Sequence, residues 1–425
     1  MNSAAVEKKE TALSGEKGSF FRQGGWMMIT AVSGGLLMLG VQLISKKLLR
    51  DSEYSAFAAL LQVTNLMAIP ALGLQMVFAQ QSAAVKDEAH RRRLISTTKS
   101  VLTWTFCVWL VMFLLGLVYH QQWATELKLS NEWSLWLTVV VGLVMLWQPI
   151  FLGLLQGRQN FLWLGWVAII NGAGRVVIGL GIVYLFHSQT AGLMAGVFIG
   201  LAVALATAWW QNMDLMREKG SGFHAMGWLK RVVPLTLGFG VSQFLFTYDA
   251  IVVQKFLGED GKAANYMLMG TLCRAIVLFT TPLAQVMFPK LVSSQGRASK
   301  NSILARGLLA TGALCIIAVL GLAATSGLFL KIFAKGDTTE IKALTPYFAM
   351  GMVPLAMGNV LLNYLMAHSR FKVVLPLCAV AAGYCIYLQF NHDSFRTVIQ
   401  IFGSFTLAFL IICMLFQFVF QRESE

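Results

Sequence analysis

Polar residues in this chain are confined to short breaks, and between the breaks the sequence stays apolar for about 20 residues at a time. A run of that length crosses a hydrocarbon core of roughly 30 Å as an α-helix, which satisfies its own backbone hydrogen bonds away from water. Twelve runs are predicted as spans. The first six are Gly24–Ser45, Ala56–Ala79, Ser100–Tyr119, Trp133–Leu155, Phe161–Phe186 and Ala191–Gln211. The second six are Val232–Phe256, Ala264–Phe288, Ile303–Ile332, Leu344–Met366, Val373–Phe390 and Val398–Phe420. Residues 1–22 are polar and mixed in charge, which predicts a disordered cytoplasmic tail with no apolar segment of a cleavable signal peptide.

The two sets of six also share local pattern. Pro70, Gln75 and Phe78 in the second span match Pro282, Gln285 and Phe288 in the eighth. LLQGRQ at Leu154–Gln159 matches LMAHSR at Leu365–Arg370. The offsets, 212 from Pro70 to Pro282 and 211 from Leu155 to Met366, are nearly constant. The fold class this predicts is an all-α polytopic membrane protein with two pseudo-symmetric six-helix lobes, 23–216 and 217–425. Six is even, so the lobes share one orientation about an axis along the membrane normal. The repeated glycines of GLMAGVFIG (Gly192, Gly196, Gly200) give one face of the sixth span a close-packing stripe.

Composition agrees with this reading. Charged residues make up 12% of the chain, against roughly a quarter in soluble domains. The net charge of +14 does not point to nucleic acid, because the basic residues flank the spans. With the N-terminus inside, 21 Lys and Arg fall on the cytoplasmic side and 10 on the other, so both termini are expected in the cytoplasm. HRRR at His90–Arg93 is the strongest such signal and reads as an anchor beside anionic lipid. Six cysteines lie in apolar runs without a CxxC pair or a nearby histidine; they read as small core residues, and no metal site is expected.

Charges inside the spans carry the candidate chemistry, because an ionised group at mid-membrane costs about 2.5–3.5 kcal/mol unless it faces a partner or a cavity. Arg274 lies ten residues into the eighth span, roughly 15 Å deep at 1.5 Å per residue. Arg175 is fourteen residues into the fifth, and Asp249 is in the outer half of the seventh. A guanidinium in a cavity suits a phosphate group, which it can bond bidentately. Arg274 has two open roles, binding such an anion or pairing with Asp249. Arg175 can bind an anion or bond backbone carbonyls beside Gly172 and Gly174. Asp249 reads as a neutralising or gating partner, with proton or sodium coupling as the other role. Pro70 and Pro282 are gating candidates because each removes a backbone bond and permits bending. Gln243 and Asn65, together with Gln42 and Asn363, can reach sugar hydroxyls or bond a neighbouring helix.

Three strings have a family character: DAIVVQKFLG in the seventh span, PLAQVMFPKL closing the eighth, and LLQGRQNF after the fourth. They resemble the polysaccharide and oligosaccharide-lipid flippases of the multidrug/oligosaccharidyl-lipid/polysaccharide (MOP) exporter superfamily, from Arg22 to Phe420. The resemblance implies a V-shaped pair of bundles that moves polyprenyl-pyrophosphate-linked glycans, such as O-antigen or exopolysaccharide repeat units, across a bacterial inner membrane by alternating access. It implies a lipid-linked substrate, the bilayer and other polysaccharide-assembly membrane proteins as partners, and no cofactor. The related lipid II flippases carry two further helices and have an arginine in the helix equivalent to the eighth span.

Two other classes compete. A multidrug antiporter on the same scaffold calls for carboxylates in the cavity. The first six predicted spans hold none, and two buried arginines against one aspartate favour anionic cargo. A membrane glycan polymerase or ligase calls for a sizeable outside loop with titratable groups, and the loop at Tyr119–Glu132 offers only His120, Glu126 and Lys128. No HExxH, Walker or GxSxG motif is present, so the chain reads as a transporter and not an enzyme.

Overall fold

The computed structural model describes residues 26–419, apart from 28, 31, 86, 223–224, 259–261 and 294–296. The side chains of 72, 278–279, 281–303 and 367 also lie outside the described set, as does the predicted tail. The described residues are helical almost throughout, with no strand among them.

In the first half, α1 covers 32–48 and α2 covers Asp51–Met67, followed by α3 (Ile69–Ala83), α4 (Glu88–Glu126) and α5 (Trp133–Gly157). The fifth predicted span is α6 (Phe161–Gly174), a π-helical turn at Arg175–Gly179, and α7 (Leu180–Phe186). Then come α8 (Gln189–Trp210) and the short α9 (Met213–Arg217). The second half holds α10 (Ala225–Leu257), α11 (Lys262–Ser293), α12 (Arg297–Phe333), α13 (Thr339–Ala367), α14 (Val374–Phe390) and α15 (Phe395–Met414).

Ten helices among the described residues are long and apolar enough to span a membrane. The first and eighth predicted spans, parts of which fall outside the described set, are also helical at 32–48 and Lys262–Ser293. The fifth begins and ends where the apolar run does, at Phe161 and Phe186. The third is far longer than its apolar run: α4 has 39 residues, so its polar start extends beyond the hydrocarbon. The second starts earlier than the apolar run. Asp51 and Glu53 belong to the first turn of α2, where carboxylates favour the helix dipole.

The second span is broken. α2 stops at Met67, Ala68 separates it from α3, and Pro70 takes the second position of α3, where its missing N–H costs nothing. The repeat-related α11 runs on unbroken through Pro282, whose side-chain surroundings are outside the described residues.

The two helix ends that the sequence repeat aligns close in the same way, as does the end of α4 at Lys128. After α5, Gln159 takes a left-handed φ of 57°, with Gln159 N–H donating to Gln156 and Asn160 N–H to Leu155. After α13, Ser369 has φ 55°, with Ser369 N–H donating to Met366 and Arg370 N–H to Leu365. These are the same helix-ending motif, 210 residues apart (159 to 369), one less than the alignment of Leu155 with Met366.

In the first half α5 and α8 form the centre, packed by α3 and α6; in the second, α13 packs against α11, α12 and α15. The seam between the halves is α10 against α2 and α3, with α11 against α2. Hydrogen bonds across it gather toward the end of the bundle opposite Arg91–Arg93, which lie near the start of α4. There Lys335 Nζ donates to the Leu49 carbonyl at 2.8 Å, and Gln254 Nε2 to the Leu127 carbonyl at 3.0 Å. Lys255 pairs with Glu126 at 2.9 Å.

At the Arg91–Arg93 end the chain between the halves is strapped to the first. Arg158 binds Asp214 with two nitrogens at 3.1 and 2.7 Å. Arg91 pairs with Glu218, Lys99 Nζ donates to the Glu218 carbonyl at 2.6 Å, and Ser221 N–H donates to the Arg92 carbonyl at 3.2 Å. Partial burial pushes the Asp214 carboxyl up, but the Arg158 guanidinium outweighs this, with Arg91 also near, and holds it below its ordinary range.

Candidate functional site

Arg274 and Asp249 meet across α10 and α11. Arg274 Nη2 lies 2.6 Å from Asp249 Oδ1 and 2.7 Å from Oδ2, and Nε donates to the Phe246 carbonyl at 2.8 Å. Tyr266 donates its hydroxyl to Asp249 Oδ2 at 2.7 Å. The guanidinium lies between the rings of Phe246 and Phe348, 5.8 and 5.6 Å from their centroids. It also passes so close to Gly270 that a β-carbon there would collide with Nη1. Arg274 is 4% exposed and Asp249 0%. The pair is therefore dry, neutral overall and held by a phenol and a backbone oxygen. Such a pair costs desolvation to build, and losing one partner strands a charge.

The first half reaches this cluster through α1 and α2. Thr271 Oγ1 donates to Gln42 Oε1 across the seam at 2.5 Å, and buried Tyr54 brings its hydroxyl beside Thr271. Beyond Tyr54, Lys46 is fully buried, 2.6 Å from Asp51 and 5.5 Å above the Tyr54 ring. Sequence reading placed Lys46 in a loop and missed this pair; the signal was a lysine at the end of an apolar run followed five residues later by Asp51.

Arg175 sits in a different setting. It opens the π-helical turn, a form of helix concentrated at functional positions. The glycine stripe of α8 accounts for its placement: a β-carbon at Gly174 would lie 2.5 Å from Gly200 Cα, and one at Gly200 would lie 3.0 Å from Arg175 N. The helices touch backbone to backbone on that side. Gly172, on another face, meets Leu37 and Gly34 of α1. Arg175 falls between these two packed faces, on the bundle side of the helix, while Val177 is 71% exposed on the other. Its described bond is Nε to Asn171 Oδ1 at 3.0 Å. Among the described residues no carboxylate pairs with it.

The carboxylates of the first half are committed. Glu53 on α2 is buried and accepts from Thr190 N–H at 3.2 Å and Thr190 Oγ1 at 2.6 Å, at the start of α8. Asn65 donates to Gln62 on its own helix at 3.1 Å. Asn363 likewise donates to the Asn359 carbonyl at 2.7 Å. Gln243 is half-buried, and its side chain has no bond among the described residues. Pro70 lies on the seam, where its carbonyl faces Thr236 Oγ1 of α10 at 3.4 Å. The site candidates thus fall into separate places: Arg274 with Asp249, Arg175 with Asn171, and the Pro70 break. No group of three or more His, Cys, Asp or Glu suited to a metal occurs among the described residues.

No protein-family model and no curated protein matches this sequence. Solved structures match its fold over nearly the whole chain, and the fold is that of the MOP-superfamily transporters. The lipid II flippase MurJ in an inward closed conformation superposes with a TM-score of 0.71 at 14% identity, over 91% of this chain and 86% of that one. A multidrug resistance MATE family transporter in an inward-facing conformation gives 0.64 at 10% identity, over 94% of each chain. A MOP transporter from Pyrococcus furiosus, described as having a binding pocket of reversed polarity, gives 0.53 at 12% identity over 95% and 96%. At these identities the likeness concerns the fold, a membrane-embedded bundle.

Proposed function

We propose that this chain moves a polyprenyl-pyrophosphate-linked oligosaccharide across the bacterial cytoplasmic membrane by alternating access, with both termini in the cytoplasm. The observation that carries this reading is Arg175. It is an intramembrane cation on the bundle side of its helix, bonded to a neutral amide and to no carboxylate among the described residues. A guanidinium so placed keeps donors free for phosphate oxygens. Gln243, with an unbonded amide, is assigned to the sugar. The pair of Arg274 and Asp249 is assigned to gating, since it lies where α1 and α2 of the first half meet α11.

Export of cationic drugs, as in the MATE transporters, is the other reading the scaffold raises. It needs an available carboxylate, and the two buried ones described here, Glu53 and Asp249, are bound to Thr190 and Arg274. The deciding experiment compares Arg175→Ala and Arg175→Lys in a strain that lacks its own flippase and accumulates the lipid-linked glycan. Loss of surface glycan in Arg175→Ala at normal protein level, with part kept by Arg175→Lys, is expected. Full export by Arg175→Ala, or proton-dependent drug efflux in its place, overturns the proposal.

A further inference from the structure

At the end of the bundle opposite Arg91–Arg93 the two halves hold each other at two places, and each place joins a turn of one half to a helix end of the other. The turn after α4, in the first half, reaches the end of α10 in the second. Lys255 Nζ lies 2.9 Å from Glu126 Oε2, Gln254 Nε2 donates to the Leu127 carbonyl at 3.0 Å, and a β-carbon on Gly258 would lie 3.3 Å from Lys128 Cδ. The turn after α12, in the second half, reaches the end of α1 in the first, where Lys335 Nζ donates to the Leu49 carbonyl at 2.8 Å. Buried Asn265 in α11 ties that turn to its own half by donating to the Lys335 carbonyl at 3.1 Å.

The repeat relates the two places. Lys47 and Lys255, near the ends of α1 and α10, are 208 residues apart. So are Lys128 and Gly336, the left-handed residues of the two turns, with φ 52° and 71°. At that offset Leu127 corresponds to Lys335 and Leu257 to Leu49. Each half therefore lays the turn between its third and fourth spans over the end of the other half's first span. The chemistry of the two differs. Glu126 corresponds to Ala334, so Lys255 has a carboxylate, while exposed Lys47 has no partner among the described residues. Gln122 donates to the other oxygen of Glu126 at 3.2 Å and orients it. Glu126 and Lys255 are 35% and 32% exposed, so water and salt weaken their attraction. Bonds of this kind are individually weak, and all of them break if the halves part at this end.

We propose that these two contacts are repeat-related cross-braces that hold this end of the bundle shut and release together, with the Glu126–Lys255 pair as the member that responds to ionic strength. The proposal rests on the movement of the halves in the function proposed above and is independent of the cargo. Hydrogen–deuterium exchange of the full-length protein in detergent, read by mass spectrometry, tests it. Glu126→Lys is expected to raise exchange about threefold at 125–129 and 253–257, the scale of a partly exposed ion pair. Because both braces close one end, a similar rise is expected at 46–50 and 333–337, with 214–221 unchanged. Adding Lys255→Glu to Glu126→Lys is expected to restore the original rates, which also shows that the fold is kept. Salt at about 1 M is expected to act on the unaltered protein as Glu126→Lys does, and to change little in that variant. Ala334→Glu gives Lys47 the partner that Lys255 has and is expected to slow exchange at all four segments about twofold. A rise confined to 125–129 and 253–257, or no restoration in the double variant, overturns the braces. No slowing in Ala334→Glu overturns their equivalence. Arg175→Ala is expected to leave every one of these rates unchanged, so a failed export experiment and a failed exchange experiment stay distinct.

Discussion

Two arginines lie at membrane depth in this protein, and their surroundings are opposite. Arg274 in the second half is sealed: a carboxylate at 2.6 Å, a tyrosine behind that carboxylate, a backbone oxygen and two rings. Arg175 in the first half touches one amide and sits in a widened helical turn. Sequence and depth treat the two as equals. Structure separates a charge neutralised by a carboxylate from a charge bonded, among the described residues, to an amide alone, the one the proposed function gives to a ligand. A buried cation signals function only once its counter-charge has been looked for.

The sharpest way to break this contrast is to remove partners one at a time. Arg274→Ala strands Asp249 and is expected to destabilise the protein by about 3–5 kcal/mol, read as a large drop in thermal unfolding temperature in detergent. The double variant Arg274→Met with Asp249→Leu is expected to recover most of that loss, as replacing a buried pair by apolar groups does. No recovery would show that the pair does more than balance charge. Arg175→Ala is expected to shift stability by about 1 kcal/mol or less, because only one hydrogen bond is lost, while export is abolished. A stability loss as large as that of Arg274→Ala would erase the distinction. Gly270→Ala displaces only the tip of the Arg274 side chain, so a loss smaller than that of Arg274→Ala is expected in the same unfolding assay.

The smallest effect is one of pH, at the strap. The folded Asp214 carboxyl lies below its unfolded range, so its contribution is fully present above the unfolded value of about 3.9 and fades as pH falls through the lower folded value. Proteolysis between Arg217 and Ala225 is therefore expected to stay constant from neutral pH down to about 4 and to rise only below it. A rise near pH 6 would place the control on another group.

Much of the fold could be read because lipid leaves so few choices. An apolar run such as Phe161–Phe186 has to be a helix, and its ends were legible to the residue. The π-helical turn inside it was not, because it depends on the glycines of α8 approaching the backbone beside Arg175. The break at Ala68 and continuity through Pro282 were equally hidden, since a proline deep in an apolar run either starts a new helix in its first turn or sits in a helix that runs on, and residue type does not say which. At the site, residue type and depth singled out Arg175, Arg274 and Asp249. Which of them would be paired was a matter of helix rotation. Glu53 and Lys46 escaped notice because the helices reach past the apolar runs that mark them.

The strap sets a leash on the whole machine. While Ser221 stays bonded to the Arg92 carbonyl, the start of α10 at Ala225 is tethered to the first half by four residue steps. Fully extended, those steps reach roughly 14 Å. The gap beside the linker cannot widen beyond that, whatever the two halves do elsewhere. Under the proposed function, a bulky head group therefore has to come in through the flank of the bundle away from the leash, which leaves the pair of halves one wide door and one narrow one.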